Sequence, residues 1–253
     1  MKQEKDSFMF KKRLLELAEK AYQQNRYMYT PFLDLYEQSM YQEERSTFSH
    51  VTSCLYGGHS YADRQIVCFG NQELFGYEEQ PPIVCVQIIP NSKKFANHLT
   101  HRDFLGAIMN LGIERPMIGD ILIADNVGYV FCLEHIAPFI TEQLFQIKQT
   151  MVTCHYTTDP PHIEPNYQEI TGFVQSCRLD TMIGLAFQLS RSQSIPYIQG
   201  KKVFVNGKLM ESNSFSLKEG MIISVRGLGK FIFDGVDGTT KKGRNRILLR
   251  KFI

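Results

Sequence analysis

The order of apolar patterns between residues 83 and 157 limits the possible folds more than any other feature of this sequence. A β-type run, IVCVQII, is followed by THRDFLGAIMNLGI, whose apolar residues have helical spacing. Two further β-type runs, IGDILIAD and VGYVFCLE, meet around Asp125-Asn126, and a helix from about Ile136 to Ile147 precedes a last strand, MVTCHYT. The resulting order, βαββαβ, predicts a ferredoxin-like, four-stranded antiparallel sheet with two helices on one face.

Two proline-containing segments divide the 253-residue chain, which is longer than one average domain. The first is EEQPP at residues 78–82, and the second is DPPHIEPN at residues 159–166, which we interpret as a semi-rigid linker. The sequence therefore predicts an α+β protein in three parts. These are a mainly helical N-terminal subdomain over residues 1–80, a ferredoxin-like or RRM-like central domain over 81–158, and a C-terminal domain over 165–253.

The N-terminal part carries two helical signals. An apolar stripe with charged residues between its members predicts the first helix. Thr30-Pro31 offers an N-cap followed by proline at the first helical position, and it predicts the start of a second helix there. A strand is expected from Arg64 to Phe69.

Charge is distributed unevenly along the chain, although the overall value is only +2. Residues 178–253 carry 14 Lys+Arg and 5 Asp+Glu, whereas residues 1–177 carry 14 Lys+Arg and 21 Asp+Glu. A basic C-terminal third joined to an acidic remainder points to a polyanionic partner for that third.

The cysteines and the N-terminus indicate a reducing, aqueous compartment. The six cysteines are spread singly, without a CxxC pair, and most lie in apolar runs, which indicates buried reduced thiols. The first twenty residues lack the apolar region of a signal peptide. No stretch reaches the roughly 18 apolar residues of a membrane span. The sequence therefore predicts a cytoplasmic protein with no membrane partner.

The basic third begins with two helical patterns. Apolar residues from Leu179 to Leu189 follow one helical face. Ser190 then fits a capping box with Gln193, and a capped helix start with Arg191 beside it is a natural phosphate site. Asn206-Gly207 predicts a tight hairpin between VFV and KLM.

The closing segment indicates a second basic arm. The runs FIF (231–233) and ILL (247–249) can pair as strands, with GTTKKGRN as a basic loop between them. An ordinary solvated basic face stays open as the alternative, because each charge taken singly fits it. We predict RNA contacts at Arg178, Ser190, Arg191, Ser192, Gln193, Lys201, Lys202, Asn206, Lys208, Arg226, Lys230, Lys241, Lys242, Arg244 and Arg246.

These residues carry a resemblance to the S4 RNA-binding domain. The matching positions are Arg178-Leu179-Asp180, Ser190-Arg191, Gly200, Val203–Gly207 and Gly220. The resemblance implies an αL-type fold, with two helices on a small β-sheet, in which the basic second helix and its loop contact the backbone of structured RNA. The chain departs from this pattern at Pro196, which removes a backbone hydrogen bond within the second helix. Met221 stands where the family often has an acid, and the spacing from Gly200 to Asn206 is one residue longer than is common.

A wider resemblance covers most of the chain. TPFLDLYEQ, GGHSYADR, LTHRDFLGAIMNLGIERPMIGDIL and GTTKKGRNRILLRKF resemble the YlmH family of S4-domain proteins, encoded near cell-division genes in Gram-positive bacteria. This resemblance implies ribosome-associated quality control, that is, rescue of stalled large subunits that carry blocked peptidyl-tRNA. The expected partners are rRNA and the large ribosomal subunit, with peptidyl-tRNA left open. A monomer without a small-molecule substrate is expected.

An RNA-modifying enzyme is the alternative function, because S4 modules also accompany pseudouridine synthases, rRNA methyltransferases and tyrosyl-tRNA synthetases. The sequence contains no GxGxxG, Walker A or GxSxG motif. We therefore expect no catalytic residues, no cofactor and no metal, although His98-x-x-His101 has the spacing of two ligands on one helix face. Tyr129 and Phe131 could stack bases on a sheet face, and Gly57-Gly58 with Asp63-Arg64 could form a backbone nest for phosphate.

Overall fold

The computed structural model describes residues 2–92, 98–240 and 243–253. The chain forms two compact units, Met1–Ile163 and Glu164–Ile253. The described residues form seven α-helices and several antiparallel sheets, so the protein is a mixed α and β structure. The predicted three-part division, with its boundary near residue 80, stays a prediction.

The first 80 residues combine helices with a small sheet. The elements are α1 (Lys2–Gln24), β1 (Met28–Tyr29), α2 (Leu35–Glu44), β2 (Ser53–Tyr56), β3 (Ile66–Phe69) and α3 (Gln72–Phe75). The three strands form an antiparallel sheet in the order β1-β3-β2. Leu14 and Ala18 of α1 pack with Tyr41 of α2 and with Val67 and Phe69 of this sheet, which forms a buried core.

The predicted start of the second helix at Thr30-Pro31 is wrong. The helix begins at Leu35, and Asp34 caps it through a capping box with Glu37. Thr30 is buried instead, and its hydroxyl oxygen accepts a hydrogen bond from the Val67 N–H at 2.8 Å. Both sites carry start signals, but only Asp34 has an acid three residues further on.

The sheet of residues 83–157 contains the predicted βαββαβ order. The elements are β4 (Ile83–Pro90), α4 (His101–Asn110), β5 (Ile118–Ala124), β6 (Val127–Leu133), α5 (Ala137–Gln143), β7 (Gln146–Ile147) and β8 (Thr150–Thr157). All neighbouring strands are antiparallel, in the order β5-β6-β4-β8-β7. One sheet face, with Ile88 and Val130, packs against Phe104 and Ile108 of α4 and Ile140 of α5. Thr100 is the N-cap of α4, as predicted, and Asp103 accepts hydrogen bonds from its N–H and hydroxyl.

The predicted helix from Ile136 to Ile147 is too long. The α-helix ends at Gln143, and Gln146–Ile147 pairs with β8 as a short hairpin. Ile147 is buried in that hairpin, so its apolar character reflects strand packing.

The other face of this sheet is partly covered by the N-terminal residues. Phe131 is only 2% exposed and packs with Phe32, Ile66 and Leu133. The stacking interpretation is therefore wrong for Phe131, because a base cannot reach its ring. Tyr129 is half-buried, and its hydroxyl accepts a hydrogen bond from Gln87 Nε2 at 3.1 Å.

The second unit is a six-stranded antiparallel sheet with two helices. Its elements are β9 (Tyr167–Val174), α6 (Leu179–Phe187), α7 (Arg191–Gln199), β10 (Val203–Val205), β11 (Lys208–Leu209), β12 (Ile222–Val225), β13 (Gly229–Thr239) and β14 (Asn245–Phe252). The strand order is β11-β10-β12-β13-β14-β9. The predicted pairing of 231–233 with 247–249 is confirmed, since Phe233 faces Leu249 across β13 and β14. Pro196 lies inside α7, as the sequence indicated.

The core of the second unit lies between the helices and one face of the sheet. Met182 of α6 and Ile198 of α7 pack with Ile223, Phe231 and Leu249. Because side chains alternate along a strand, the residues next to these project from the opposite face. We call the two faces of this unit the helix side and the sheet side.

Most of the cysteines are buried, as predicted. Cys68, Cys85, Cys132 and Cys154 are buried and unbridged, and burial raises the pKa of Cys85 and Cys132 to about 12. Cys54 differs, because it is exposed.

Candidate nucleic-acid interface

A buried carboxylate organises the arginines on the helix side. Asp180 is fully buried in the first turn of α6. Arg178 donates to both of its oxygens, with Nε–Oδ1 and Nη2–Oδ2 distances of 3.1 and 2.9 Å. Arg191 Nε donates to Oδ2 at 3.0 Å. The two arginine side chains stay 34% and 65% exposed, so both guanidinium groups are held in place and still reach solvent.

The electrostatics of this group favour the charged forms. Burial acts to raise the pKa of Asp180, but the hydrogen bonds and positive charges of Arg178 and Arg191 outweigh it and lower that pKa. The hydrogen bond to Asp180 raises the pKa of Arg178. Two arginines share one carboxylate, which leaves a net positive charge that is available to an anion.

The start of α7 has the predicted cap. Ser190 accepts from the Gln193 N–H, and Gln193 Oε1 accepts from the Ser190 N–H at 2.8 Å. The Ser192 hydroxyl lies 2.9 Å from the Ser190 hydroxyl. Buried Ser194 donates to the carbonyl oxygens of Asp180 and Arg191 at 3.0 and 3.1 Å, which ties α6 to α7. The cap therefore fixes the helix end that carries Arg191.

The sequence did not predict the roles of Asp180 and Ser194. Asp180 appeared only as part of a motif, and Ser194 was not noticed. The available signal for Asp180 was an acid inside an apolar helical pattern with an arginine two residues before it. Its second partner, Arg191, is eleven residues away and becomes a neighbour only when the two helices pack.

The hairpin residues serve the backbone as well as the surface. Asn206 and Gly207 have φ values of 46° and 75°, as a tight hairpin turn requires. The Asn206 side-chain oxygen accepts from the Ile222 N–H at 2.9 Å, so this amide holds the turn against β12. Lys208 is exposed on β11. Its RNA contact, like that of Asn206, stays a prediction.

Two lysines lie between α7 and β10. Lys201 adopts a positive φ of 58° and pairs with Glu211 at 3.3 Å. The Lys202 ammonium lies 5.8 Å from the centre of the Tyr197 ring. Both are exposed, and neither contacts the Asp180 group in the described residues.

Other predicted cations lie on the sheet side. The Arg226 guanidinium stacks 4.7 Å from the centre of the Phe204 ring, and the Lys230 ammonium lies 4.1 Å from that of Phe252. Arg246 pairs with Asp237 at 3.0 Å. The structure therefore separates the predicted cations into two groups on opposite faces of the sheet.

The tail between β13 and β14 is only partly described. Arg244 is exposed, and its N–H donates to the Thr240 hydroxyl at 3.0 Å. Lys241 and Lys242 lie outside the described residues. The proposed phosphate contacts of this loop stay predictions.

In the first unit, the suspected phosphate nest is filled by the chain itself. The N–H groups of Asp63 and Arg64 donate to the Asp120 carboxylate at 2.7 and 3.2 Å. His59 Nε2 lies 3.2 Å from the same carboxylate. Arg64 also donates to the Phe32 carbonyl at 2.8 Å. The GGHSYADR segment and β5 thus meet in a structural joint, and the nest interpretation is wrong because Asp120 takes the place of the anion.

A groove of about 530 Å³ runs between α4 and residues 143–148. Arg102, Asp103 and Lys148 line it, and Lys148 pairs with Asp103 at 2.7 Å. Phe145 also lines it, and its side chain is 61% exposed. The groove thus combines an exposed ring with cationic side chains.

Metal-ligating clusters and membrane spans were also sought in the described parts of the chain. No three His, Cys, Asp or Glu side chains come together there as a metal site would require, including around His98 and His101. Within the same residues, no helix is both long and apolar enough to cross a bilayer.

Comparison with known proteins agrees with the resemblance. A family model described as "Putative RNA-binding domain in YlmH" matches residues 82–159. A relative from Bacillus subtilis (strain 168), named ribosome-associated protein quality control protein P2, is 26% identical over 251 residues, which cover 98% of this chain and 96% of that protein. The chain belongs to the YlmH-like family. A solved structure, cell division protein ylmH from Streptococcus pneumoniae, is 20% identical with a TM-score of 0.48, over 60% of this chain and 91% of that one.

The family match falls on the central sheet, whereas all the RNA contacts predicted from the sequence lie in the second unit. Residues 82–159 contain 5 Lys+Arg and 7 Asp+Glu, so charge gave no reason to expect RNA there. The groove beside α4 is the part of this segment where exposed aromatic and cationic side chains lie together.

Proposed function

We propose that this YlmH-like chain is a non-catalytic factor that contacts structured rRNA of the large ribosomal subunit, with peptidyl-tRNA alongside. Its role would be ribosome-associated quality control or rescue of stalled ribosomes, in the cytoplasm and as a monomer. The observation that carries the proposal is the pair of exposed arginines fixed by buried Asp180 at a capped helix start. The name of the Bacillus subtilis relative, which covers nearly the whole chain, supports the ribosomal setting.

The finer fold assignments belong to the same proposal. For the second unit, the S4 assignment is supported by two short helices packed on a sheet, with the Asn206-Gly207 turn at the expected place. For residues 83–157, the ferredoxin-like assignment is supported by the order β5-β6-β4-β8, in which the first strand lies between the third and the fourth.

A fixed guanidinium suits a phosphate backbone. Arginine presents five N–H donors in a planar fork, and Arg191 uses Nε on Asp180 while its side chain stays 65% exposed. Backbone contacts of this kind position a protein on RNA without reading its sequence. The helix side therefore fits recognition of folded RNA by shape, and the central segment matched by the RNA-binding model would supply a second contact.

Co-sedimentation with purified large subunits over a range of salt concentrations tests the proposal. We expect Arg191→Ala to weaken binding and to reduce the log–log salt slope by about 0.7–0.9, because one phosphate contact is lost. Lys218→Ala is the matched control, since it removes an exposed cation of the same unit outside the predicted set. Lys241→Ala combined with Lys242→Ala tests the tail in the same way.

Equal binding and equal slopes for Arg191→Ala and Lys218→Ala would contradict the site. The enzymatic alternative has its own test, in which the protein is incubated with tRNA and rRNA, with and without S-adenosylmethionine. A new modified nucleoside would overturn the non-catalytic assignment.

A further inference from the structure

A cavity of about 280 Å³ lies in the acidic first unit, far along the sequence from the predicted RNA contacts. Its lining includes Tyr27, Tyr29, Tyr56, Cys54, Glu78 and Glu79. We call it the tyrosine pocket. No lysine or arginine of the described residues lines it.

The floor of the tyrosine pocket is one face of the small sheet. Tyr29 of β1 is the pairing partner of Cys68 in β3, and Cys68 is in turn the partner of Cys54 in β2. Residues that pair directly across strands project from the same face. Tyr56 follows two residues after Cys54 and so shares that face, while the opposite face is buried against α1 and α2.

The aromatic walls are held by ring contacts. Tyr27 and Tyr29 are nearly parallel, with ring centres 6.4 Å apart and an angle of 8°. Tyr27 also packs edge-on against Phe75 and Tyr77, at 5.2 and 5.4 Å, and its hydroxyl donates to the Tyr77 carbonyl at 3.1 Å. Tyr56 is 41% exposed. The walls are therefore supported from outside the pocket and do not depend on an occupant.

Two carboxylates complete the pocket. Burial, followed by the negative charge of Glu78, raises the pKa of Tyr27, and burial followed by Glu79 raises that of Tyr29. The Tyr29 hydroxyl is buried, and no described residue satisfies it with a hydrogen bond of good geometry. Aromatic rings, exposed carboxylates and an unsatisfied hydroxyl together favour a positively charged group that donates hydrogen bonds.

We propose that the tyrosine pocket binds the side chain of one arginine presented by a basic protein partner. A guanidinium stacks on tyrosine rings and donates in a fork to carboxylates, so it uses both features of the pocket. The charge complementarity extends beyond the pocket, since residues 1–177 carry 21 Asp+Glu against 14 Lys+Arg. RNA is disfavoured, because phosphate would meet Glu78 and Glu79. The proposal does not depend on the RNA contacts of the second unit.

Nuclear magnetic resonance of the full chain, with isotope-labelled tyrosine rings, tests this binding directly. The probe is Nα-acetyl-arginine amide, and Nα-acetyl-citrulline amide is its uncharged counterpart. We expect the arginine probe to shift the ring signals of Tyr27, Tyr29 and Tyr56 saturably, and the citrulline probe to leave them nearly unchanged. Glu78→Gln with Glu79→Gln should weaken binding about fivefold or more, because exposed ion pairs are individually modest.

Glu73→Gln is the matched control, because it removes a neighbouring acid that does not line the pocket. Tyr56→Ala gives a second test, since this exposed wall can be removed without neutralising the acids. Equal shifts with the citrulline probe, or no saturable shift at all, would overturn the proposal. Tighter binding of Nα-acetyl-lysine amide would show that the occupant is wrong. None of these outcomes alters rRNA binding, which separates this failure from failure of the proposed function.

Discussion

The two faces of the second unit hold their cations in different ways. On the helix side, Arg178 and Arg191 are anchored by one fully buried carboxylate. On the sheet side, Arg226 and Lys230 lie over aromatic rings, and Arg250 pairs with Asp234, which is 24% exposed. A buried anchor fixes the direction of a guanidinium, whereas a ring or an exposed acid leaves the side chain freer.

This difference shows what each group of cations can do. A cation over a ring covers apolar surface with its stem, so it stabilises the sheet as well as carrying charge. A preorganised guanidinium loses less conformational entropy when it binds phosphate. We therefore expect the helix side to dominate RNA affinity and the sheet side to add a diffuse electrostatic attraction.

The largest expected effect comes from exchanging these faces in a binding measurement. Arg178→Ala with Arg191→Ala should weaken binding to large-subunit rRNA roughly ten- to a hundredfold, since each charged hydrogen bond lost costs about 1–2 kcal/mol. Arg226→Ala with Lys230→Ala removes the same charge and should stay within about threefold. Fluorescence anisotropy with labelled rRNA fragments at fixed salt measures both.

The double arginine variant also leaves Asp180 buried without its partners, so a stability control is needed. Arg191→Lys keeps the charge and the Arg178 pair but removes the planar fork. Intermediate affinity for this variant would support fixed geometry. If the sheet-side variant lost as much affinity as the helix-side variant, net charge alone would explain binding and the comparison would fail.

A second effect concerns the anchors themselves. Asp180→Asn should lower the free energy of unfolding by about 1–3 kcal/mol, because charged hydrogen bonds to a buried carboxylate are lost. Asp234→Asn breaks a similar two-bond contact, to Arg250, but near the surface, and should cost at most about 1 kcal/mol. Urea unfolding of both variants measures the difference. Equal losses would show that burial does not distinguish the two carboxylates.

The sequence predicted the parts of this picture that local patterns encode. The strands of residues 83–157 and 167–174 follow from their apolar runs, and the Ser190 cap follows from Gln193 three residues later. Ring-lined contacts and buried acids depend on distant partners. Phe131 is covered by Phe32 and Ile66, which no local pattern reveals.

The small N-terminal sheet escaped prediction for a different reason. β1 has two residues and β2 has four, and such lengths cannot display an alternation that stands out from chance. The tyrosine pocket was invisible for the same reason, because its floor is that sheet. Of the candidate RNA site, the sequence indicated the arginines and the cap, but it could not show that Asp180 joins them or that the other cations lie on the opposite face.

The smallest expected effect is on pH dependence. The folded-state pKa of Asp180 is lowered, so this carboxylate contributes stability that is present above its unfolded pKa of about 4 and is lost as pH falls through the lower folded value. The amide introduced by Asp180→Asn cannot titrate, and the free energy of unfolding of this variant should therefore fall less steeply than that of the natural protein below about pH 4. Urea unfolding at a series of acidic pH values measures the two slopes. Parallel slopes would mean that Asp180 gains nothing from its arginines on folding, and the contrast between a buried anchor and a surface one would lose its electrostatic basis.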